Sequence, residues 1–444
     1  MAEKIAVVVA VLVLIVPLAA FMASHWPFAR RVLFCLCVAL PGFFSLPFVE
    51  CSLVWDATYR GSSRGISLSL LDMASLTLAI ALCVVRRRVT WWPRGSWLLL
   101  ACFVWPAGTA VISENPQFAV FELFNLLRAY AVFWMLANYF EEFGDLRTFL
   151  GTLAGVVVIQ ASVACHQHLS GQFRATGLLG DPNLAGMYLN LLLPILFAVG
   201  LETRGWWRWL CLVPCGLGAL AVLITYSRGS WLMLAGSLLL VSTALLVIRP
   251  QPQKLAILGP AALAALLLLS IKSDSLLSRW GGGLAELRDA DSSARGLGPA
   301  FAMISDFPVT GVGLNHISFM LNERHYGEAV KIGERGVIHN LYLTTAAETG
   351  IAGVALLLAA FLWLFATGVR TAWQCRQSPV ALALAVGIST SVLVLAIHSW
   401  TEWVTRCIVI LQTLAIIAAL LLSLSRGHRQ AAIARVAQRR SLEL

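Results

Sequence analysis

The sequence predicts an all-α polytopic membrane protein, with about 12 transmembrane helices and one large, partly helical loop. Of its 444 residues, 59% are hydrophobic and only 12% are charged, whereas a soluble domain carries roughly a quarter charged residues. Apolar runs that match the roughly 20 helical residues of a membrane span recur along the chain. The 16 tryptophans fit anchoring at the membrane interface, where an indole keeps one edge wet.

The candidate spans follow from the apolar runs, with ends that vary by a few residues. The weakest is 118–139, because it contains Glu122 and Arg128, and the break between 225 and 229 is tight. The candidates are 5–24, 31–50, 66–85, 96–112, 118–139, 147–165, 183–200, 206–225, 229–248, 254–271, 341–367, 377–399 and 404–424.

Lysine and arginine predict the orientation, because they concentrate in cytoplasmic loops. With alternating spans, the basic segments all fall on one side of the membrane, which we assign to the cytoplasm. These segments are Arg86 to Arg88 with Arg94, Arg204 to Arg208, Arg249 to Lys254, Arg370 to Arg376, and the tail after Arg426. The predicted organisation is a transmembrane bundle (1–271), an extracytoplasmic loop domain (272–340), C-terminal transmembrane helices (341–425) and a basic cytoplasmic tail (426–444). Within the loop, short helices are predicted at Leu284 to Arg288 and Pro299 to Ser305, and the glycines at 281–283 and 311–313 predict turns.

The formal charge of +10 is explained by these flanking residues, and no zinc-finger spacing or basic-aromatic pattern supports a nucleic-acid partner. Phosphate-binding loop, dinucleotide, serine-elbow and zinc motifs are likewise missing from the sequence, so no cofactor is predicted.

Arginines on the predicted extracytoplasmic face are candidate anion contacts. Arg228 lies in a tight turn between two apolar runs, where it either snorkels to a lipid headgroup or binds phosphate through its planar fork. Arg174 precedes Asp181, which we expect to cap a helix. Arg288 and Arg295 lie in the long loop, where a lone arginine is usually just solvated. Convergence of these side chains would form a site for a pyrophosphate.

His339 stands where the long loop meets the next span. In such a position a histidine is often a cap or an interfacial residue, but a neutral imidazole is also the best available proton acceptor. Asn340 beside it is a predicted substrate contact. Glu348 lies about 13 Å further along the helix, so it is expected to hold a second helix rather than to touch His339. His398 and Glu402 are secondary candidates.

Three strings carry a resemblance to a known family: HNLYLTTAAETG at His339 to Gly350, PVTGVGLN at Pro308 to Asn315, and TYSRGSW at Thr225 to Trp231. In these strings, and in its hydropathy layout, the chain resembles the O-antigen ligase and polymerase superfamily, most closely the ligases. The resemblance covers most of the chain. It implies transfer of O-antigen from undecaprenyl pyrophosphate onto lipid A-core, at the periplasmic face of the bacterial inner membrane.

Carried over to this sequence, the resemblance implies His339 as the base, with Arg174, Arg228 and Arg288 as pyrophosphate contacts. Family members often have an arginine followed by an aromatic residue before the Pro-x-x-Gly-x-Gly string. Here Leu297 replaces that aromatic, and either Arg288 or Arg295 takes the arginine's role. The arginines would stabilise the leaving pyrophosphate without a metal. With a single base, the acceptor hydroxyl would attack the sugar C1 in one step, which inverts that centre.

Three alternatives remain open at this stage. An O-antigen polymerase or a protein O-oligosaccharyltransferase would share the same donor and the same site logic. A membrane transporter would instead favour charged residues in mid-span and paired broken helices. The polar residues here gather on one face and in one loop, which favours chemistry at the surface.

Overall fold

The computed structural model describes residues 6, 8–47, 49–86, 89–259, 297–327 and 338–442, and only the backbone from residue 428 onward. These residues form a helical bundle with one small β-hairpin. The elements are α1 (Val16–His25), α2 (Pro27–Ala39), β1 (Glu50–Trp55), β2 (Gly65–Ser69), α3 (Leu70–Val85), α4 (Ser96–Val111), α5 (Pro116–Phe143), α6 (Leu146–Leu169), α7 (Pro182–Glu202), α8 (Trp206–Ile224), α9 (Arg228–Ile248), α10 (Leu297–Asp306), α11 (Ile317–Glu323), α12 (Leu341–Gln374), α13 (Pro379–His398) and α14 (Ile408–Leu442).

Within the described ranges, nine helices are long and apolar enough to cross a membrane: Val8–His25, which includes α1, and α5, α6, α7, α8, α9, α12, α13 and α14. The chain is therefore a multi-pass membrane protein. Two further apolar helices, α3 and α4, are shorter. The predicted count of about 12 stays a prediction, because the candidate span 254–271 lies mostly outside the described residues.

The predicted span 31–50 is wrong as a continuous helix. Helix α2 ends at Ala39, a short 3₁₀ turn covers Leu40–Phe43, and strand β1 begins at Glu50. Pro41 and Gly42 explain the break, because proline lacks a backbone donor and glycine destabilises a helix interior. The predicted span 66–85 likewise begins as strand β2 and becomes helical only at Leu70.

The β-hairpin, which the sequence analysis did not predict, is antiparallel. Glu50 pairs with Ser69 and Trp55 with Gly65, with an irregularity between Ser52 and Val54. Helix α3 follows the hairpin directly and begins with a capping box formed by Ser69 and Asp72. The loop between the two strands therefore lies at the end of the bundle where α3 begins.

Helix α5, which contains the weakest predicted span, is a continuous helix of 28 residues. Its two buried charged residues, Glu122 and Arg128, both have partners of opposite charge. Arg128 makes ion pairs with Asp72 (2.8 Å) and Glu50 (3.6 Å). Glu122 lies 3.3 Å from Arg406. Charged groups inside a membrane protein are tolerated when they face the interior and are paired.

Helix α7 is the centre of the bundle. Every residue from Ala185 to Glu202 is buried, and α8, α9 and α13 pack around the helix. A helix that is apolar on all sides belongs in the interior of a large assembly of helices. Because α7 is enclosed, its first turn has a rigid position at one end of the bundle.

The two ends of the bundle differ in charge. At one end, which we call the basic end, Arg86 bonds Glu141 at 3.1 Å, Arg426 also pairs with Glu141, and Glu202 at the end of α7 pairs with Lys254. The predicted basic segments at these positions therefore lie at the same end of the bundle. The opposite end, which we call the site end, holds the hairpin loop, the start of α7 and the start of α12.

The described part of the long loop packs onto the start of α12. Helix α10, which agrees with the short helix predicted near Pro299 to Ser305, joins α11 in a small apolar core with Ile338 and Ala347. The other predicted loop helix, Leu284 to Arg288, lies outside the described residues. The loop is therefore held against the same helix that begins beside His339.

Candidate functional site

Two loops meet at the site end of the bundle. The loop before α7 and the turn before α9 are joined because the backbone N–H of Ala175 donates to the Ile224 carbonyl (3.1 Å). The Arg174 Nε donates to the Thr225 carbonyl at 3.1 Å. Tyr226 adopts a left-handed backbone conformation, with φ +51°, which is uncommon for a bulky residue and is found most often at functional or tightly constrained sites.

Hydrogen bonds connect Arg174 to His339. The Arg174 NH2 group donates to Asn183 Oδ1 at 2.7 Å, and Asn183 Nδ2 donates to Glu402 Oε1 at 3.0 Å. The other oxygen of Glu402, Oε2, lies 3.1 Å from His339 Nδ1. Four side chains from three separate segments of the chain therefore form one polar row.

His339 stands at the outer edge of this row. Half of its side chain is exposed, whereas the Glu402 side chain is only 14% exposed. The segment that carries His339 is joined to the end of α13, because Leu341 N–H donates to the Ser399 carbonyl at 2.9 Å. An exposed imidazole that contacts a largely covered carboxylate can present its other nitrogen, Nε2, to a substrate.

Asn340 and Asp181 begin two of the helices of the site. Asn340 is buried, and its side-chain oxygen accepts from the Leu343 N–H (3.0 Å), so it is the N-cap of α12. Its predicted contact with substrate stays a prediction. Asp181 accepts from the Leu184 N–H (2.8 Å), which confirms the predicted cap of α7. Each cap satisfies a backbone donor that would otherwise lack a partner.

Arg228 is the first residue of α9 and is partly buried. The next residue, Gly229, packs so closely on α13 that an added Cβ would lie 3.0 Å from His398 Nε2 and 3.7 Å from Thr401 Oγ1. Arg228 is thus held next to the segment that carries Glu402. The structure brings the neighbourhoods of Arg174, Arg228 and His339 together, whereas Arg288 and Arg295 lie outside the described residues.

A second polar cluster lies behind His339, around Arg406. This guanidinium contacts Glu348 at 2.5 Å and Glu122 at 3.3 Å. Burial opposes its charge, but the two carboxylates hold the pKa of Arg406 above its usual value. Glu348 therefore connects α12 to the segment before α14, in agreement with the expectation that it would hold a second helix rather than touch His339.

The PVTGVGLN loop is pinned between this cluster and the β-hairpin. Gly311 and Gly313 have positive φ angles, which confirms the predicted turns. The Gly313 N–H donates to the Glu348 carbonyl at 2.9 Å. Asn315 donates to the carbonyls of Ser63 and Phe118, both at 2.8 Å. The loop thus connects the hairpin and α5 to α12.

Tyr59, at the tip of the hairpin, donates its hydroxyl hydrogen to the Asn315 carbonyl. Burial, followed by the nearby charges of Glu348 and Glu122, raises the pKa of Tyr59 well above its usual value. The phenol therefore stays protonated and remains a donor. Sequence reasoning missed this hairpin contact and the partners of Arg406, because the residues involved are far apart in the chain.

Within the described ranges, no group of three or more His, Cys, Asp or Glu side chains is arranged to hold a metal ion. The polar row itself contains one imidazole, one carboxylate, one amide and one guanidinium. These groups are suited to proton transfer and to stabilisation of an anion.

Residues 213–358 match the family profile described as O-antigen ligase. The match covers about a third of the chain and supports a relationship to the O-antigen ligase superfamily. The match confirms the resemblance drawn from the sequence, and it includes the TYSRGSW, PVTGVGLN and HNLYLTTAAETG strings. It indicates an O-antigen ligase or polymerase type of glycosyl transfer, with lipid-linked polysaccharide substrates. No curated protein matches the chain.

Proposed function

We propose that the protein is an O-antigen ligase of the bacterial inner membrane. In this proposal it transfers O-antigen polysaccharide from undecaprenyl pyrophosphate to lipid A-core at the periplasmic face, without a metal and with inversion at the sugar C1. The observation that carries the proposal is the row of hydrogen bonds from Arg174 through Asn183 and Glu402 to His339. This row supports the proposal because it connects a candidate anion contact to a candidate base.

His339 is the proposed base. An ionised carboxylate only accepts hydrogen bonds, so the Glu402 contact (3.1 Å) assigns the ring hydrogen to Nδ1 and leaves the lone pair on Nε2. As the acceptor hydroxyl oxygen attacks the sugar C1, Nε2 takes the hydroxyl proton. Glu402 then stabilises the imidazolium that forms, as the carboxylate does in other His-carboxylate pairs.

Arg174 and Arg228 are the proposed contacts of the leaving group, together with Arg288 or Arg295 from the long loop. The bond between C1 and the phosphate oxygen breaks, and the pyrophosphate departs with the electron pair. Guanidinium groups stay charged at every relevant pH and donate in pairs to phosphate oxygens. Preorganised donors of this kind stabilise the charge that develops in the transition state.

The deciding experiment is deletion of the gene in a smooth Gram-negative host, followed by gel analysis of the lipopolysaccharide. A ligase predicts bare core, with polymer accumulating on the undecaprenyl carrier. Core that bears single repeat units would identify a polymerase instead, and an unchanged ladder would overturn both readings. Complementation with wild-type protein is the control.

The site is tested in the same host with His339→Ala. Because the proton acceptor is removed, we expect transfer to fall by at least about 100-fold. The amount of inserted protein, measured by immunoblotting of membranes, should match wild type. A ladder of near-normal intensity from His339→Ala would contradict the role of His339 while leaving the ligase assignment to the deletion experiment.

A further inference from the structure

The amide of Asn183 lies between two groups of opposite charge, Arg174 and Glu402. A guanidinium has only donors, and an ionised carboxylate has only acceptors. The amide can therefore serve both neighbours in one orientation alone, with its oxygen toward Arg174 and its nitrogen toward Glu402. The two charged groups are separated by this single neutral group.

The backbone of Asn183 is positioned by a helix and not by the two side chains that its amide contacts. It belongs to the first turn of α7, which begins with the proline at 182 and is capped by Asp181, and the helix continues into the centre of the bundle. Arg174 and Glu402, in contrast, come from loops and have long side chains. The fixed amide thus stands between two groups that could otherwise approach each other.

Opposite charges in a partly buried place attract, and a guanidinium and a carboxylate can pair through two parallel hydrogen bonds. A direct pair between Arg174 and Glu402 would occupy the donors that Arg174 needs for the leaving group. It would also draw the carboxylate away from His339 Nδ1, where Glu402 now lies at 3.1 Å. One contact would then disable both halves of the proposed site.

We propose that Asn183 is a positioning residue that acts as a neutral spacer, holding Arg174 and Glu402 apart so that each serves the substrate side of the reaction. This inference rests on the proposed function for its catalytic consequence. The juxtaposition that carries it is the pair of contacts on either side of the amide, 2.7 Å to Arg174 and 3.0 Å to Glu402.

The activity test uses Asn183→Ala and the isosteric Asn183→Asp in the full-length protein, assayed with lipid-linked donor and lipid A-core at equal amounts of folded protein. The alanine variant permits the direct pair. The aspartate binds Arg174 but offers no N–H to Glu402. We expect each variant to lose transfer by about 100-fold, the loss that follows from a small displacement of reacting groups.

Asn190→Ala is the matched control. Asn190 is a buried asparagine on the same helix, and its amide donates to the Ser230 carbonyl at 2.9 Å, away from the polar row. We expect transfer close to wild type from this variant. Retention of wild-type activity, within a few-fold, by Asn183→Ala and Asn183→Asp would overturn the proposal.

A mutant cycle separates positioning from a general structural defect. Glu402→Gln should strongly reduce glycan transfer when it is introduced into the wild-type protein. It should reduce transfer little further in Asn183→Ala, because the carboxylate has already left His339 there. If the two substitutions acted independently, the loss of transfer in the double variant would equal the product of the two single losses, to within about twofold. That result would refute the spacer role.

A structure of the Asn183→Ala protein in lipid nanodiscs provides a readout that does not need activity. We expect an Arg174 nitrogen within about 4 Å of a Glu402 oxygen, the limit for an ion pair. If the two groups remain apart, the inference is wrong. If wild-type protein transfers no glycan, the proposed function fails, and this structural comparison still decides whether Asn183 is a spacer.

Discussion

His316 shows how a single buried side chain can depend on one protonation state. Its Nε2 accepts from the Asn115 backbone N–H at 3.1 Å, and its Nδ1 lies 2.9 Å from the Leu314 carbonyl. Both contacts fit the neutral ring with the hydrogen on Nδ1. A second hydrogen on Nε2 would point at the Asn115 donor. The ring thus joins the start of α5 to the PVTGVGLN loop only while it is neutral.

Acidification should therefore weaken this connection. Burial is the main cause that lowers the pKa of His316 from 6.5, its ordinary value, while the Leu314 contact and Glu114 act in the opposite direction. Between the lowered folded value and 6.5, the unfolded chain binds more protons. The stabilising contribution of His316 is present above pH 6.5 and is lost as the pH falls toward the folded value.

We expect His316→Gln to reduce the pH dependence of stability, since glutamine can accept and donate without titrating. The measurement is Tm in detergent at about pH 7.5 and about pH 5.5, for wild type and variant. The drop in Tm on acidification should be smaller for the variant. The exposed His25 supplies the control substitution, His25→Gln. An equal drop in wild type and His316→Gln would contradict the assignment.

The sequence predicts which individual residues belong to the site better than it predicts the contacts between them. His339, Arg174 and Arg228 are found because polar residues between apolar runs are conspicuous, and the structure places them in one neighbourhood. The contact between His339 and Glu402 spans 63 positions, and nothing in local periodicity indicates it. The same holds for Asn315, whose partners Ser63 and Phe118 belong to the hairpin loop and to α5.

Helix α12 is interrupted at Gly350, where the long loop packs against it. Gly350 has φ +71° and ψ −178° inside the helix. The interruption frees the Ala347 and Glu348 carbonyls, which accept from Val312 and Gly313 of the loop, at 2.8 and 2.9 Å. The backbone polar groups of the interrupted helix are thus satisfied by the loop, as burial requires.

Gly350→Ala should destabilise the protein by at least about 2 kcal/mol, the range for a non-glycine residue forced into a rare backbone region. In addition, its Cβ would lie 1.9 Å from the Val309 carbonyl oxygen, so the docked loop would have to move. The measurements are the shift in Tm in detergent and the fraction of wild-type glycan transfer that the variant retains.

Gly236→Ala on α9 is the matched control, because an added Cβ there meets nothing within 4 Å. In an ordinary helical conformation the change from glycine to alanine stabilises by about 0.5 to 1 kcal/mol. If the two variants behave alike, the interruption at Gly350 does not hold the loop.

Element boundaries were predictable where hydropathy and breaker residues agree. Helices α6 to α9 lie close to their predicted spans because each is bounded by glycine, proline or charged residues. The hairpin was missed because β2 is apolar and runs directly into α3, so one hydropathy peak covers two elements. The span in α5 was ranked weakest because hydropathy counts Glu122 and Arg128 as unpaired charges, whereas both are paired in the structure.

Segregation of charge between the two ends is a property of the whole molecule. Arg86, Lys254 and Arg426 come from distant parts of the chain, yet all lie at the basic end, where carboxylates of Glu141 and Glu202 pair with them. The His339 row and the hairpin occupy the other end. Arginine and lysine bias sets the orientation of membrane proteins, so the basic end is expected in the cytoplasm and the site end in the periplasm.

Labelling of introduced cysteines in intact cells tests this orientation. Ala57 lies in the exposed hairpin loop at the site end, and Gln377 lies in the exposed turn between α12 and α13 at the basic end. In a background without the native cysteines, Ala57→Cys should react with a membrane-impermeant maleimide applied outside the inner membrane. Gln377→Cys should react only after the membrane is opened, because its turn is expected to face the cytoplasm. The reverse pattern would place His339 in the cytoplasm, away from a periplasmic acceptor, and would exclude the proposed reaction.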